Sequence, residues 1–216
     1  MIRAVIFDMD GVLIDAKEWH YDALNQSLAL FGYAISRRDH ETTYDGLPTK
    51  KKLEMLTEHQ GLPRRLHHFL NEMKQQYTMD LVHQRCKPSF THEYALAELK
   101  RLGFRLAVAS NSIRQTVEVM MDRAHLARHL DLLLSNQDVK EPKPSPEIYT
   151  AAIRHFGLKP SNCVIVEDNE NGIRAARASG AHVLVVRDVH DVTLENILGK
   201  VREANLVNTG NKRSVA

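Results

Sequence analysis

Short β-branched runs alternate with amphipathic segments through most of this chain, and that alternation restricts its fold more than any other feature. Parallel strands covered on both faces read as near-continuous apolar runs, and each crossover between them needs a helix. The runs Arg3–Phe7, Arg105–Ala109, Leu132–Leu134, Cys163–Val166 and His182–Val186 meet the first condition. Helical spacing over about Thr91–Leu102, Ile113–Ala124, Pro146–Phe156 and Asn171–Ser179 meets the second, with Gly103, Gly157 and Gly180 placed as C-terminal stops. The expected fold class is α/β, with a doubly wound, Rossmann-like parallel sheet as its core.

One stretch breaks the pattern. From Ala16 to about Met79 nothing reads as a strand, and helical spacing dominates. Trp19, Ala23, Leu24, Leu28 and Phe31 fall on one helical face, and Leu66, Phe69, Leu70, Met73, Tyr77 and Leu81 on another. The chain must return to the sheet afterwards, so residues 16–79 are expected to be an all-helical inserted domain, with 1–15 and 80–216 forming the α/β core. Lys50, Lys51 and Lys52, in the loop YDGLPTKKK, read as a solvated helix face, and the tail NTGNKRSVA reads as frayed.

Acids and bases nearly balance, 29 Lys and Arg against 27 Asp and Glu, with no basic block to follow a phosphate backbone. Nucleic acid is therefore excluded as the expected partner, and a small molecule is favoured. Cys86 and Cys163 are far apart, which fits reduced thiols better than a disulfide framework or a metal knuckle. No apolar stretch reaches the length of a membrane span, so the expectation is a cytoplasmic protein without a membrane partner, a monomer or weak oligomer.

The stretch VIFDMDGVLID raises a specific problem, because Asp8 and Asp10 end a run built for burial. In open parallel sheets, ligand sites form beyond the C-terminal ends of the strands. Those ends carry Asp8 and Asp10, then Ser110 and Asn111, then Asp138, Lys140 and Lys143, then Glu167 and Asp168. Several carboxylates converging beside a lysine repel one another unless a cation joins them, and hard oxygen donors suit Mg2+. Taken alone, an Asp-x-Asp pair after a strand reads as readily as a turn or a cap, Lys140 is as eligible as Lys143, and Glu167 and Asp168 also suit the start of a helix.

Four motifs in order remove most of that ambiguity: FDMDGVL at Phe7–Leu13, VASNS at Val108–Ser112, KPSPEIY at Lys143–Tyr149, and VEDNENGIRAARASG at Val166–Gly180. With these the chain resembles the haloacid dehalogenase superfamily, in the branch with a helical cap after the first strand, similar to β-phosphoglucomutase and phosphoglycolate phosphatase. The resemblance implies a Mg2+-dependent phosphatase acting on a small phosphorylated metabolite, a sugar phosphate above all, through an aspartyl phosphate. Asp8 would be the nucleophile and Asp10 the general acid and base. Ser110, Asn111 and Lys143 would bind the phosphate. Asp8, Asp10, Glu167 and Asp168 would hold the metal, Asp10 through its backbone carbonyl. In the cap, His20, Gly46 and Thr49 are the candidate substrate contacts, although a lone histidine on a helix is more often a packing residue.

Rival classes fit less well. A receiver-type signalling domain is shorter and has no reason for a helical insertion, and a non-catalytic binding protein need not keep every expected catalytic residue. A β-phosphoglucomutase-like mutase needs a second anion site. Here Thr49 stands where the mutase pattern has an arginine and Ile113 where it has a lysine, so only Lys50 or Arg114 remains as a replacement cation. Hydrolysis is the expected outcome.

Overall fold

A computed structural model describes residues 1–213. The chain forms two compact units, Met1–Asp15 with Lys87–Ala216, and Ala16–Cys86. The first contains five parallel strands, β1 (Ala4–Phe7), β2 (Arg105–Ala109), β3 (Leu132–Leu134), β4 (Cys163–Glu167) and β5 (His182–Val185), in the order β3-β2-β1-β4-β5. Each lies within a residue or so of its sequence expectation. β1 is central, and its last residue, Phe7, pairs with Val108 on one side and Val166 on the other. That register ends β1, β2 and β4 together and sets the polar residues after them along one edge.

The helical unit comprises α1 (Lys17–Ala29), the short α2 (Arg37–Asp39) continuing into a π-helical turn (His40–Tyr44), α3 (Thr49–Gln60) and α4 (His67–Arg85). Its core is Leu24, Leu28, Ile35, Tyr44, Leu53, Leu56, Leu62 and Leu70. Four details depart from expectation. Phe31 lies beyond the end of α1, is 43% exposed, and meets the equally exposed Phe69 edge to face. The most buried line of α4 is Leu70, Lys74, Thr78 and Val82 rather than the face containing Phe69, Met73 and Tyr77. This phase can bury two polar residues because each has a partner: Thr78 Oγ1 donates to the Lys74 carbonyl (2.8 Å), and Lys74 Nζ lies 3.2 Å from His20 Nδ1 on α1. Lys52 is likewise buried, while Lys50 and Lys51 are solvated. Because α4 runs unbroken to Arg85, the unit ends at Cys86 instead of at residue 79.

The sheet is covered by α5 (Phe90–Arg101), α6 (Arg114–Arg123), α7 (Glu147–His155), α8 (Glu170–Ala178) and α9 (Leu194–Arg213). Alternate strand residues separate two cores. Ala4, Ile6, Ala107, Ala109 and Ile165 pack with Ile148, Tyr149, Ala152, Ala175 and Ala176 from α7 and α8. Val164 and Leu184 pack with Val201 and Ala204 from α9. The expected fraying from Asn208 is replaced by helix as far as Arg213, with Asn208 Nδ2 donating to the Ser161 carbonyl; residues 214–216 lie outside the described residues. Both cysteines are buried free thiols, and among the described residues no helix is long and apolar enough to cross a membrane.

Candidate active site

The Asp8 amide donates to the Val166 carbonyl (3.0 Å), carrying the β1–β4 ladder one residue past β1 and setting Asp8 beside Glu167. The chain then folds back on itself. The Met9 carbonyl accepts from the amides of Val12, Leu13 and Ile14, and the Gly11 amide donates to the Ile14 carbonyl at 2.7 Å. Gly11 has φ +87°, which a residue with a Cβ adopts only under strain, so glycine is what permits a turn this tight. Asp10 rides on that turn, and Oδ2 of its carboxylate accepts from Ser112 Oγ at 3.0 Å.

Lys143 is delivered by the loop after β3. The Asn111 side chain grips its backbone from both sides, accepting from the Lys143 amide (3.0 Å) and donating to its carbonyl (3.4 Å). The side chain, only 4% exposed, runs inward, and Nζ donates to Asp8 Oδ1 (2.6 Å) and Glu167 Oε1 (2.7 Å). Lys140 is exposed, so the sequence ambiguity between the two lysines resolves to Lys143.

Glu167, 1% exposed, is saturated with donors. Oε1 accepts from Lys143 and from the Tyr149 hydroxyl (2.6 Å), and Oε2 accepts from the amides of Asp168 (3.0 Å) and Asn169 (3.3 Å). The carboxylate lies flat against α8. A Cβ on Gly172 would come within 1.8 Å of Oε1 and 2.4 Å of Oε2. Space, not backbone conformation, is what requires glycine there.

Asp8, Glu167 and Asp168 each offer an oxygen within 4.8 Å of the others. Three carboxylates face one ammonium, an excess of negative charge presented entirely as hard oxygen donors, and this donor set fits Mg2+. Electrostatics point the same way. Burial pushes the Asp8 carboxyl well up; Lys143 opposes this, while Glu167, Asp168 and Asp10 add to it. A cation beside Asp8 restores its ionised form. Burial pulls the Lys143 ammonium down, but Asp8 and Glu167 outweigh it, and the net direction is up.

The remaining expected residues divide into two groups. Ser110, 1% exposed, accepts from the Ser112 amide (3.0 Å), which leaves its hydroxyl proton to donate to an anion. Asn111 commits its side chain to the Lys143 backbone. His20 on α1, Gly46 with φ +69°, and Thr49 at the start of α3 belong to the helical unit. The sequence marked Ser112 only as a serine shared with the mutase pattern, and gave no role to Tyr149 or Gly172. For the last two the sequence signal was their presence inside the motifs.

Comparison with known proteins bears on the class. The haloacid dehalogenase-like hydrolase family matches residues 5–186. The chain belongs to that family. It is 31% identical over 195 residues to protein CbbY of Cereibacter sphaeroides, covering 86% of this chain and 84% of that one. It is 27% identical to a phosphorylated carbohydrates phosphatase of Thermotoga maritima, with 88% of each chain covered. A crystal structure of CbbY from Rhodobacter sphaeroides in complex with phosphate superposes with a TM-score of 0.78 at 28% identity, covering 86% of each chain.

Proposed function

We propose that this enzyme is a Mg2+-dependent phosphatase that hydrolyses a small phosphate monoester, a phosphorylated sugar or related polyol, by way of an aspartyl phosphate on Asp8. The observation that carries the reading is the bridge from Lys143 Nζ to Asp8 Oδ1 at 2.6 Å, inside a cluster of three carboxylates at the strand ends. The names of the relatives, one a phosphatase of phosphorylated carbohydrates, support the substrate class.

In this reading Asp8, Asp168 and the Asp10 carbonyl would hold the metal, and Glu167, grouped with them and expected as a further ligand, serves a different purpose. Glu167, whose oxygens already accept four hydrogen bonds, orients Lys143. When bound, Mg2+ offsets the repulsion between the Asp8 carboxylate and the phosphate dianion. Lys143 and the Ser110 hydroxyl take up charge on the phosphate oxygens. An Asp8 oxygen attacks phosphorus as the ester oxygen departs, and Asp10 gives that oxygen its proton. Asp10 then takes a proton from water, whose oxygen attacks phosphorus and releases phosphate with Asp8 restored. Ser112 holds Asp10 on its turn for both transfers.

A mutase would need a cation at a second anion site. Arg114, one of the two replacement candidates, is paired with Asp138, which supports hydrolysis. The test is a panel of sugar phosphates and small phosphorylated acids with Mg2+, including β-glucose 1-phosphate with a catalytic amount of its bisphosphate, following both free phosphate and isomerised sugar phosphate. Phosphate release from a monoester is expected. Isomerisation that outruns phosphate release would overturn the reading.

A further inference from the structure

We propose that Tyr149 is a positioning residue for Lys143: its hydroxyl and its ring together hold the Glu167 carboxylate and the Lys143 ammonium so that the ammonium is shared with Asp8. The inference rests on the phosphatase reading and deepens it by naming a residue that tunes the phosphate clamp.

Tyr149 sits on α7 among Ile148, Ala152 and Ile153, where a phenylalanine would pack as well. Packing alone therefore leaves its hydroxyl unexplained. That hydroxyl is fully buried and donates at 2.6 Å to Glu167 Oε1, the same oxygen that accepts from Lys143 at 2.7 Å. The face of its ring lies under the ammonium, with Nζ 4.7 Å from the centroid, a cation–π contact that is strong when desolvated. Tyr149 thus touches both members of the pair and neither reacting group.

The two donors on Oε1 compete for its charge. With the phenol in place, Glu167 attracts the ammonium less, and Lys143 divides itself between Glu167 and Asp8 at nearly equal distances, 2.7 and 2.6 Å. Without the phenol, Oε1 turns its whole charge to Lys143. The ammonium is drawn toward Glu167 and away from the position where a phosphate oxygen and Asp8 meet.

The test uses Tyr149→Phe, which keeps the ring and removes only the hydroxyl. Inorganic phosphate binding with Mg2+ present is measured by titration calorimetry, and KM and kcat by phosphate release. A charge-assisted hydrogen bond of this kind predicts a rise of about tenfold in the phosphate Kd and a matching rise in KM. A purely structural role would lower the active fraction, and so kcat, with Kd and KM unmoved. The same substitution in a Lys143→Ala background isolates the route: if Tyr149 acts through Lys143, it produces no further loss there. An unchanged Kd in Tyr149→Phe, or an equal loss in both backgrounds, would overturn the proposal. Phosphate binding is read without turnover, so this result stands apart from whether any monoester is hydrolysed.

Discussion

Replacing Gly172 by alanine sets two effects of opposite sign against each other. Gly172 lies within α8 at an ordinary helical position, and there alanine is favoured by about 1 kcal/mol. Its Cβ, however, would sit 1.8 Å from Glu167 Oε1, whereas real Cβ atoms do not approach within 3.0 Å. An unpinned glutamate would simply swing aside. This one is held by Lys143 and Tyr149 at 2.7 and 2.6 Å and by the amides of Asp168 and Asn169. A retreat of the required size breaks the two short bonds, and each bond to a charged group contributes roughly 1.5–3 kcal/mol. Net of the helix gain, Gly172→Ala should destabilise the α/β unit by about 2–5 kcal/mol, which lowers the melting temperature by roughly 4–20 °C for a chain of this size. Scanning calorimetry measures that, and kcat/KM should fall by about a hundredfold or more as Lys143 loses its partner. A variant as stable and as active as wild type would refute the claim that Glu167 is moulded to the helix.

Three further outcomes are expected. Asp8→Asn removes the attacking charge and one metal ligand together, so phosphate release should vanish while circular dichroism stays native; wild-type turnover would exclude Asp8 as the nucleophile. Chelator should abolish activity, and Asp168→Ala should raise the Mg2+ concentration needed for half-maximal rate; full activity in chelator would dismiss the metal site. In the helical unit, burial and then Lys52 push the His40 imidazole down to about 4. The folded form therefore prefers neutral His40, and the stability this provides is present above pH 6.5 and lost as pH falls toward 4. Trp19, the single tryptophan, lies on α1 and reports unfolding of this unit by fluorescence; His40→Gln should flatten the pH slope, and equal slopes in the two proteins would count against it.

The strands were legible because burial on both faces forces β-branched runs, and a short run with one polar end shows where a strand stops. The strand-end acids were legible for the same reason. What the sequence left open depends on contacts between distant positions. Lys140 and Lys143 have the same chemistry in one loop, and only the Asn111 clamp turns one of them inward. Tyr149 and Gly172 carry no charge to mark them, and their importance comes from where Glu167 lies in three dimensions. The face of α4 was misread because two of its buried residues, Lys74 and Thr78, are polar and count as solvent-facing in any hydrophobic pattern.

The strand order also has a consequence in time. β1 is the first strand to leave the ribosome and waits longest for both of its neighbours, which begin at Arg105 and Cys163. The helical unit is one continuous stretch, Ala16–Cys86, with its own apolar core, and all of it is made before either neighbour exists. During synthesis Asp8 therefore hangs at the end of an unpaired apolar strand while the helices behind it can already condense. Glu167 and Asp168 join the cluster only when β4 arrives, so chains truncated before Glu167 hold neither a complete sheet nor any part of the lysine–carboxylate network beyond Asp8 and Lys143.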